Sequence, residues 1–370
     1  MPNPNAIVSF VVRLDPPLDR APAEMLRAER GIGVELAGGR RARLDPSDPR
    51  AAGLATLLEG IRHQRLPLYL EVDPDSAAIT LLRIPHVSRV RDIEPAEGGV
   101  SVALEESHAV HHLRRSSPDF AEFERLLRKA KTGNDTLVIT ENDAHEIIDV
   151  RPYTPHPEGG GPFREPEPPP RKVSWLGALI DRIWRWRWWP WWWFGCISAT
   201  RAQQVFDAMN STSCAPLTVP VPCIPFLYPD DGCWGRAHEM CRLMIAMGLS
   251  PRKVWIDGSL HTPTRNNPDC FVNWGWHVAP TLCVRGSTFF QRETMVIDPS
   301  LFTTPVTKAT WKSVQGDPSA TLTDTPASYF RQWGETDPTY VKTNQVLATY
   351  RLQLQLRALD DGPPPYAQCP

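Results

Sequence analysis

The chain is predicted to be α+β throughout, in two separately packed parts joined by a spacer. Three observations lead there. The first 150 residues alternate β-branched, strand-like runs with two stretches of helical spacing. Residues 152–170 are rich in Pro and Gly and cannot build a packed core. Beyond them, an amphipathic helical pattern headed by Cys233 gives way to segments of period two.

Taken in order, Ala6–Leu14 reads as a strand, as do Leu68–Val72, Ala78–Ile84 and Gly99–Leu104. Ala51–Arg65 places Leu54, Leu57, Leu58 and Ile61 at helical spacing, and Phe120–Leu127 follows the same rule with Phe123 and Leu126. Ser117-Pro118-Asp119 supplies a start for that second helix, with Pro at its first position. Asp135–Thr140 and Glu146–Val150 read as two short closing strands. Residues 1–150 are thus expected to form a small α+β domain of unassigned role. Its one histidine cluster, His108, His111 and His112, has no cysteine and no matching carboxylate set, so no metal or catalytic site is assigned there.

Residues 151–172 are the Pro/Gly-rich linker and 173–195 a Trp/Arg-rich segment, in which Trp184–Trp193 alternates indoles with Arg185 and Arg187. Three readings of that run stand: a hydrophobic strap across the junction, a plug for a groove or partner, and contact with a membrane interface.

In residues 196–370, Arg201–Asn210 is helical in pattern, and Val219–Tyr228 is extended because Pro220, Pro222 and Pro225 break it. Tyr228-Pro229-Asp230-Asp231-Gly232 is a turn that runs into Cys233. Ala237, Met240, Cys241, Met244 and Ile245 then repeat at steps of three and four until Gly248 and Pro251. Lys253–Ile256, Cys270–Val278, Thr281–Arg285, Phe289–Ile297 and Tyr350–Leu356 read as strands.

The formal charge of -2 gives no basic excess to meet nucleic acid, and no run of eighteen apolar residues occurs. All eight cysteines lie beyond residue 173, a density that suits disulfides and an oxidising compartment. The N-terminus lacks the basic and apolar regions of a Sec-type signal peptide. Localisation therefore stays open between the cytoplasm and a signal-independent, effector-type export route.

Chemistry is expected at Cys233. Unpaired N–H groups and the positive end of the helix dipole at the first turn favour a thiolate. A thiol nucleophile needs a base and a group to orient that base. His277, in the strand-like Trp274-Gly275-Trp276-His277-Val278, is the candidate base. Asp298, at the end of Met295-Val296-Ile297, is the candidate orienter if the two strands pair.

Cys223–Met240 closely resembles the active-site segment of bacterial protein-glutaminases, the protein-glutamine deamidases. Trp276-His277-Val278-Ala279 resembles a further family segment, and so do Ile297-Asp298-Pro299-Ser300-Leu301-Phe302, Pro305-Val306-Thr307 and Trp311, in the family's order. The resemblance spans about residues 200–356. It implies a papain-like, transglutaminase-related core in which a Cys-bearing helix packs on an antiparallel sheet. It also implies Cys233 as nucleophile, His277 as general base and acid, Asp298 as orienting carboxylate, and no cofactor or metal. Cys214 and Cys223 stand where the family also has cysteine, which implies a bridge between them. The implied substrate is a protein with an exposed glutamine. Alternatives kept open are a transglutaminase or thiol protease on the same fold, and an N-terminal binding or autoinhibitory module in an effector. The Trp184–Trp193 segment is a candidate for self-interaction with the catalytic groove.

Overall fold

The computed structural model describes residues 6–29, 31–156, 196–217, 222–286 and 291–370. The Trp184–Trp193 segment, and with it the choice among strap, plug and membrane contact, lies outside the described residues. The fold is a mixed α/β arrangement of antiparallel sheets.

The first sheet has the order β3-β2-β1-β4-β5 and is built from β1 (Ala6–Asp15), β2 (Ile32–Leu36), β3 (Arg41–Leu44), β4 (Pro67–Val72) and β5 (Ile79–Arg83). Helix α1 (Pro22–Glu29) lies beside α2 (Ala51–His63), and α2 buries the predicted stripe of Leu54, Leu57, Leu58 and Ile61 against β1. The second sheet, β10-β9-β6-β7-β8, comprises β6 (His86–Ala96), β7 (Gly99–Leu104), β8 (His111–Arg114), β9 (Thr136–Glu141) and β10 (Ile147–Pro152). It curls until β8 meets β10 through a bridge between His112 and Glu146. Its core is closed by α3 (Phe120–Gly133), which buries Phe123, Leu127 and Ala130. The capping residue of α3 is Asp119, two positions later than the predicted Ser117, so Pro118 stands outside the helix.

Residues from 196 onward contain α4 (Ala199–Asn210), α5 (Cys233–Ala246), β11 (Arg252–Pro263), β12 (Phe271–Arg285), β13 (Arg292–Val296), β14 (Val306–Thr307), α6 (Lys308–Ser313), β15 (Thr321–Pro326) and α7 (Val341–Asp360). The third sheet runs β14-β13-β12-β11-β15, and α5 lies across β12. The two strands predicted at 270–278 and 281–285 are one continuous strand. Pro280 does not interrupt it, because β13 joins the outer edge of β12 only from Thr281 onward.

One prediction is overturned. Tyr350–Leu356, read as a strand, belongs to the 20-residue helix α7. The alternation Tyr350, Leu352, Leu354, Leu356 arises because α7 is buried on opposite sides. Tyr350 and Leu354 pack in the core around Cys233, while Leu352 and Leu356 join the core of the first sheet. A helix with apolar contacts on two faces loses the single stripe that identifies it. The two glycines of α2 make the approach close: a Cβ on Gly53 would meet Leu359, and one on Gly60 would meet Leu352 at 2.7 Å.

Three disulfides staple this region: Cys196–Cys283, Cys214–Cys223 and Cys270–Cys369. Cys214–Cys223 is the pair the resemblance implied. Cys233 and Cys241 are free and buried.

Candidate active site

Cys233 is the first residue of α5, as the turn chemistry demanded. Gly232 caps the helix at φ 79, a left-handed conformation that glycine adopts without cost. A Cβ there would lie 2.2 Å from the Tyr350 ring, so both the backbone angle and the close approach of α7 require glycine. The turn before it is held from within. Arg236 is buried and donates to the carbonyls of Tyr228 and Asp231, and Trp274 Nε1 donates to the Asp230 carbonyl at 3.0 Å.

His277 comes from β12 and Asp298 from the turn after β13. The pairing Thr281↔Val296 brings them together as predicted. His277 Nε2 lies 2.9 Å from Asp298 Oδ2. Trp311 Nε1 also donates to Asp298 Oδ2 at 2.9 Å, and the Ser300 amide donates to Oδ1 at 3.2 Å. Burial alone would raise the Asp298 carboxyl, but His277 and the Trp311 N–H outweigh it and hold the group below its ordinary range. The His277 ring is stacked between Trp274 at 4.4 Å and Trp311 at 5.5 Å, which fixes its plane. Its Nδ1 is buried with no hydrogen-bond partner.

The thiol does not carry the depressed pKa expected of a helix start. Cys233 is 1% exposed, and burial pushes its pKa well above the ordinary value, an effect that Arg236 only partly offsets. Desolvation of the anion exceeds what one helix terminus returns.

What covers the thiol is a residue to which the sequence assigned no site. Residues 107–110 lie along the part of β12 that β13 leaves unpaired. Gly275 N donates to His108 O at 2.9 Å, Val110 N donates to Asn273 O at 3.3 Å, and Ala109 bridges Trp274 in antiparallel sense. This segment presents the His108 imidazole to the turn before α5, with Nδ1 3.2 Å from Cys233 Sγ and 2.9 Å from Asp231 Oδ1. The ring is fully buried among Trp234, Trp274 and Trp276, whose ring centroids lie 5.2–5.9 Å away. Burial pulls its pKa down to about 4 despite the neighbouring carboxylate. Ring nitrogens of His108 and His277 and the Cys233 sulfur all lie within 4.8 Å of one another.

Asp231 is the second residue that sequence reasoning missed, having been read as part of a turn. It accepts from the His108 amide at 3.0 Å, the Gly232 amide at 2.9 Å and the Tyr350 hydroxyl at 2.6 Å. Burial alone would raise its carboxyl; His108 and Tyr350 override that and hold it far below the usual range. Asp230 is matched by Arg357 of α7 and by Asn267. A pair of adjacent buried aspartates before Gly-Cys was the available signal.

A buried thiol at a helix start, beside an imidazole tied to a carboxylate, is an arrangement that can support nucleophilic chemistry at sulfur. Residues 202–315 match the family model described as glutaminase, which supports an amidohydrolase enzyme. Among solved structures, pro-protein-glutaminase is similar at 22% identity and TM-score 0.49, covering 73% of this chain and 93% of the other. Protein-glutaminase itself is similar at 29% identity and TM-score 0.38, covering 43% and 90%. The NMR structure of protein-glutaminase from Chryseobacterium proteolyticum gives 28% identity and TM-score 0.36, covering 40% and 84%. No curated protein matches the chain.

Proposed function

We propose that residues 196–370 form a papain-like, transglutaminase-related catalytic unit that hydrolyses the side-chain amide of protein-bound glutamine, releasing ammonia. The observation that carries this reading is the buried His277–Asp298 pair, 2.9 Å apart, beside a cysteine at the head of α5. With Nε2 committed to Asp298, Nδ1 of His277 is left to serve the thiol. Cys233 transfers its proton to His277 and attacks the carboxamide carbon. The C–N bond then breaks as His277 returns the proton to the departing nitrogen, and ammonia and a thioester result. Water, deprotonated by His277, attacks the thioester carbon, and the Cys233 sulfur leaves and recovers a proton. Glutamate and the free thiol are the products. No metal or cofactor takes part in these steps.

Ammonia release from a glutamine-containing protein, with Cys233→Ala as control, tests the reading. Equal release from both chains removes Cys233 from the chemistry. Incorporation of an added amine identifies a transglutaminase, and backbone cleavage identifies a protease.

A second reading concerns residues 6–156, for which we infer an autoinhibitory role. It rests on His108, which occupies the space in front of Cys233. Turnover in this reading requires the 107–110 segment to leave the β12 edge. Full-chain His108→Gly with activity above the native chain supports it, and unchanged activity removes it.

A further inference from the structure

The curled second sheet gathers four potential ligands that the chemistry at Cys233 does not use. His86 opens β6, His111 opens β8, Glu141 ends β9, and His145 sits in the turn before β10. The three histidines converge on the one carboxylate. Glu141 Oε1 lies 3.0 Å from His86 Nε2 and 3.0 Å from His145 Nδ1, and Oε2 contacts His111 Nδ1. The rings stand edge to face, 5.1 Å between His86 and His111 and 5.7 Å between His111 and His145.

The outer nitrogens carry the argument further. Imidazoles that ligate a metal are held at their other nitrogen by a hydroxyl, carbonyl or carboxylate. His111 Nε2 has Ser107 Oγ at 2.9 Å, and His145 Nε2, buried and without a hydrogen-bond partner, has Asp230 Oδ1 at 3.7 Å. Two imidazoles and a carboxylate, with an open position, are a donor set for zinc or a neighbouring divalent transition metal. Ligand atoms about 2.0–2.2 Å from such an ion sit on the order of 3.3 Å apart, and those of His86, His111 and Glu141 already lie within 4.8 Å of one another.

We propose that His86, His111 and Glu141 form a divalent transition-metal site, with His145 holding the Glu141 carboxylate. Both outer partners flank the contact that closes the active site: Ser107 precedes His108, and Asp230 precedes Asp231. An ion at Glu141 therefore stiffens the segment lying over Cys233 from one side and the catalytic turn from the other. The site stands whether or not the chain deamidates glutamine, because metal uptake is its own readout.

The test is titration of the chelator-treated full chain with Co²⁺ alone, followed by visible absorption and thermal melting. One equivalent is expected, with ligand-field bands and no thiolate charge-transfer band, together with a higher melting temperature. Glu141→Gln and His111→Ala should each weaken binding more than about 100-fold, and Ser107→Ala about tenfold. Cys233→Ala should leave binding unchanged. Two results overturn the proposal: no stoichiometric uptake by the native chain, or uptake with a charge-transfer band that Cys233→Ala abolishes, which would put the ion among His108, Cys233 and His277. If a ligand variant is unfolded by circular dichroism, the native-chain spectrum alone decides.

Discussion

His108 and Cys233, separated by 125 positions, meet at 3.2 Å, and the contact joins an N-terminal sheet to the head of α5. The imidazole is held less by the sulfur than by Asp231, which takes both its ring N–H and its backbone N–H. Removing the side chain should expose the thiol. Loss of one or two buried hydrogen bonds, about 1–2 kcal/mol, predicts alkylation of Cys233 by iodoacetamide roughly tenfold faster in His108→Gly. An unchanged rate would mean that the backbone pairing of residues 107–110 closes the site unaided.

The same contact is expected to weaken in acid. In place, His108 titrates at about 4; released, it returns to about 6.5. Between those values the released form takes up a proton that the closed form does not, so closure is lost as pH falls from about 6.5 towards 4. Asp231 does not counter this, since its carboxyl stays ionised throughout that window. The ratio of Cys233 alkylation in His108→Gln to that in the native chain cancels the thiol's own titration. It should fall on the order of tenfold between pH 7 and pH 5.

Asp298→Asn should leave the fold intact and cut turnover by about 10²–10⁴, because an amide cannot hold His277 in the required tautomer. Trp311→Phe keeps the stack on His277 and removes one N–H to Asp298, worth about 1 kcal/mol, so a several-fold fall in kcat is expected. Equal losses in the two variants would assign Trp311 more than an orienting role.

Gly232→Ala combines a positive φ with a clash on Tyr350. A cost of about 1–3 kcal/mol in denaturant unfolding is expected. Relief in the double variant with Tyr350→Ala would apportion the strain between ring and backbone.

Much of this was legible in the chain. The stripes of α2 and α5 and the strand pair carrying His277 and Asp298 are local patterns, and Cys233 was found because Asp-Gly before an amphipathic run fixes a helix start. What escaped depends on contacts between distant segments. Helix α1 is short, β2 and β3 are only five and four residues long, and β6 is amphipathic with charges on its open face. The doubly buried α7 mimicked a strand. His108, His111 and His112 lie within five positions but have three fates: one beside Cys233, one against Glu141, and one half-buried beside the Glu146 bridge. A β-strand sends adjacent residues to opposite faces, so proximity in sequence was the wrong guide to proximity in space.

The helix shared by two cores bears on how the two halves part company. All three disulfides lie within residues 196–370, and none reaches residues 6–156. Once the stretch between 157 and 195 is cut, the described residues hold the pieces together without a covalent link, through packing around Leu352 and Leu356, the β12 edge pairing, hydrogen bonds such as those of His108, and ion pairs such as Arg83–Asp360. The cut product is then a two-chain complex governed by mass action. Dilution should switch it on, and added N-terminal fragment should switch it off again.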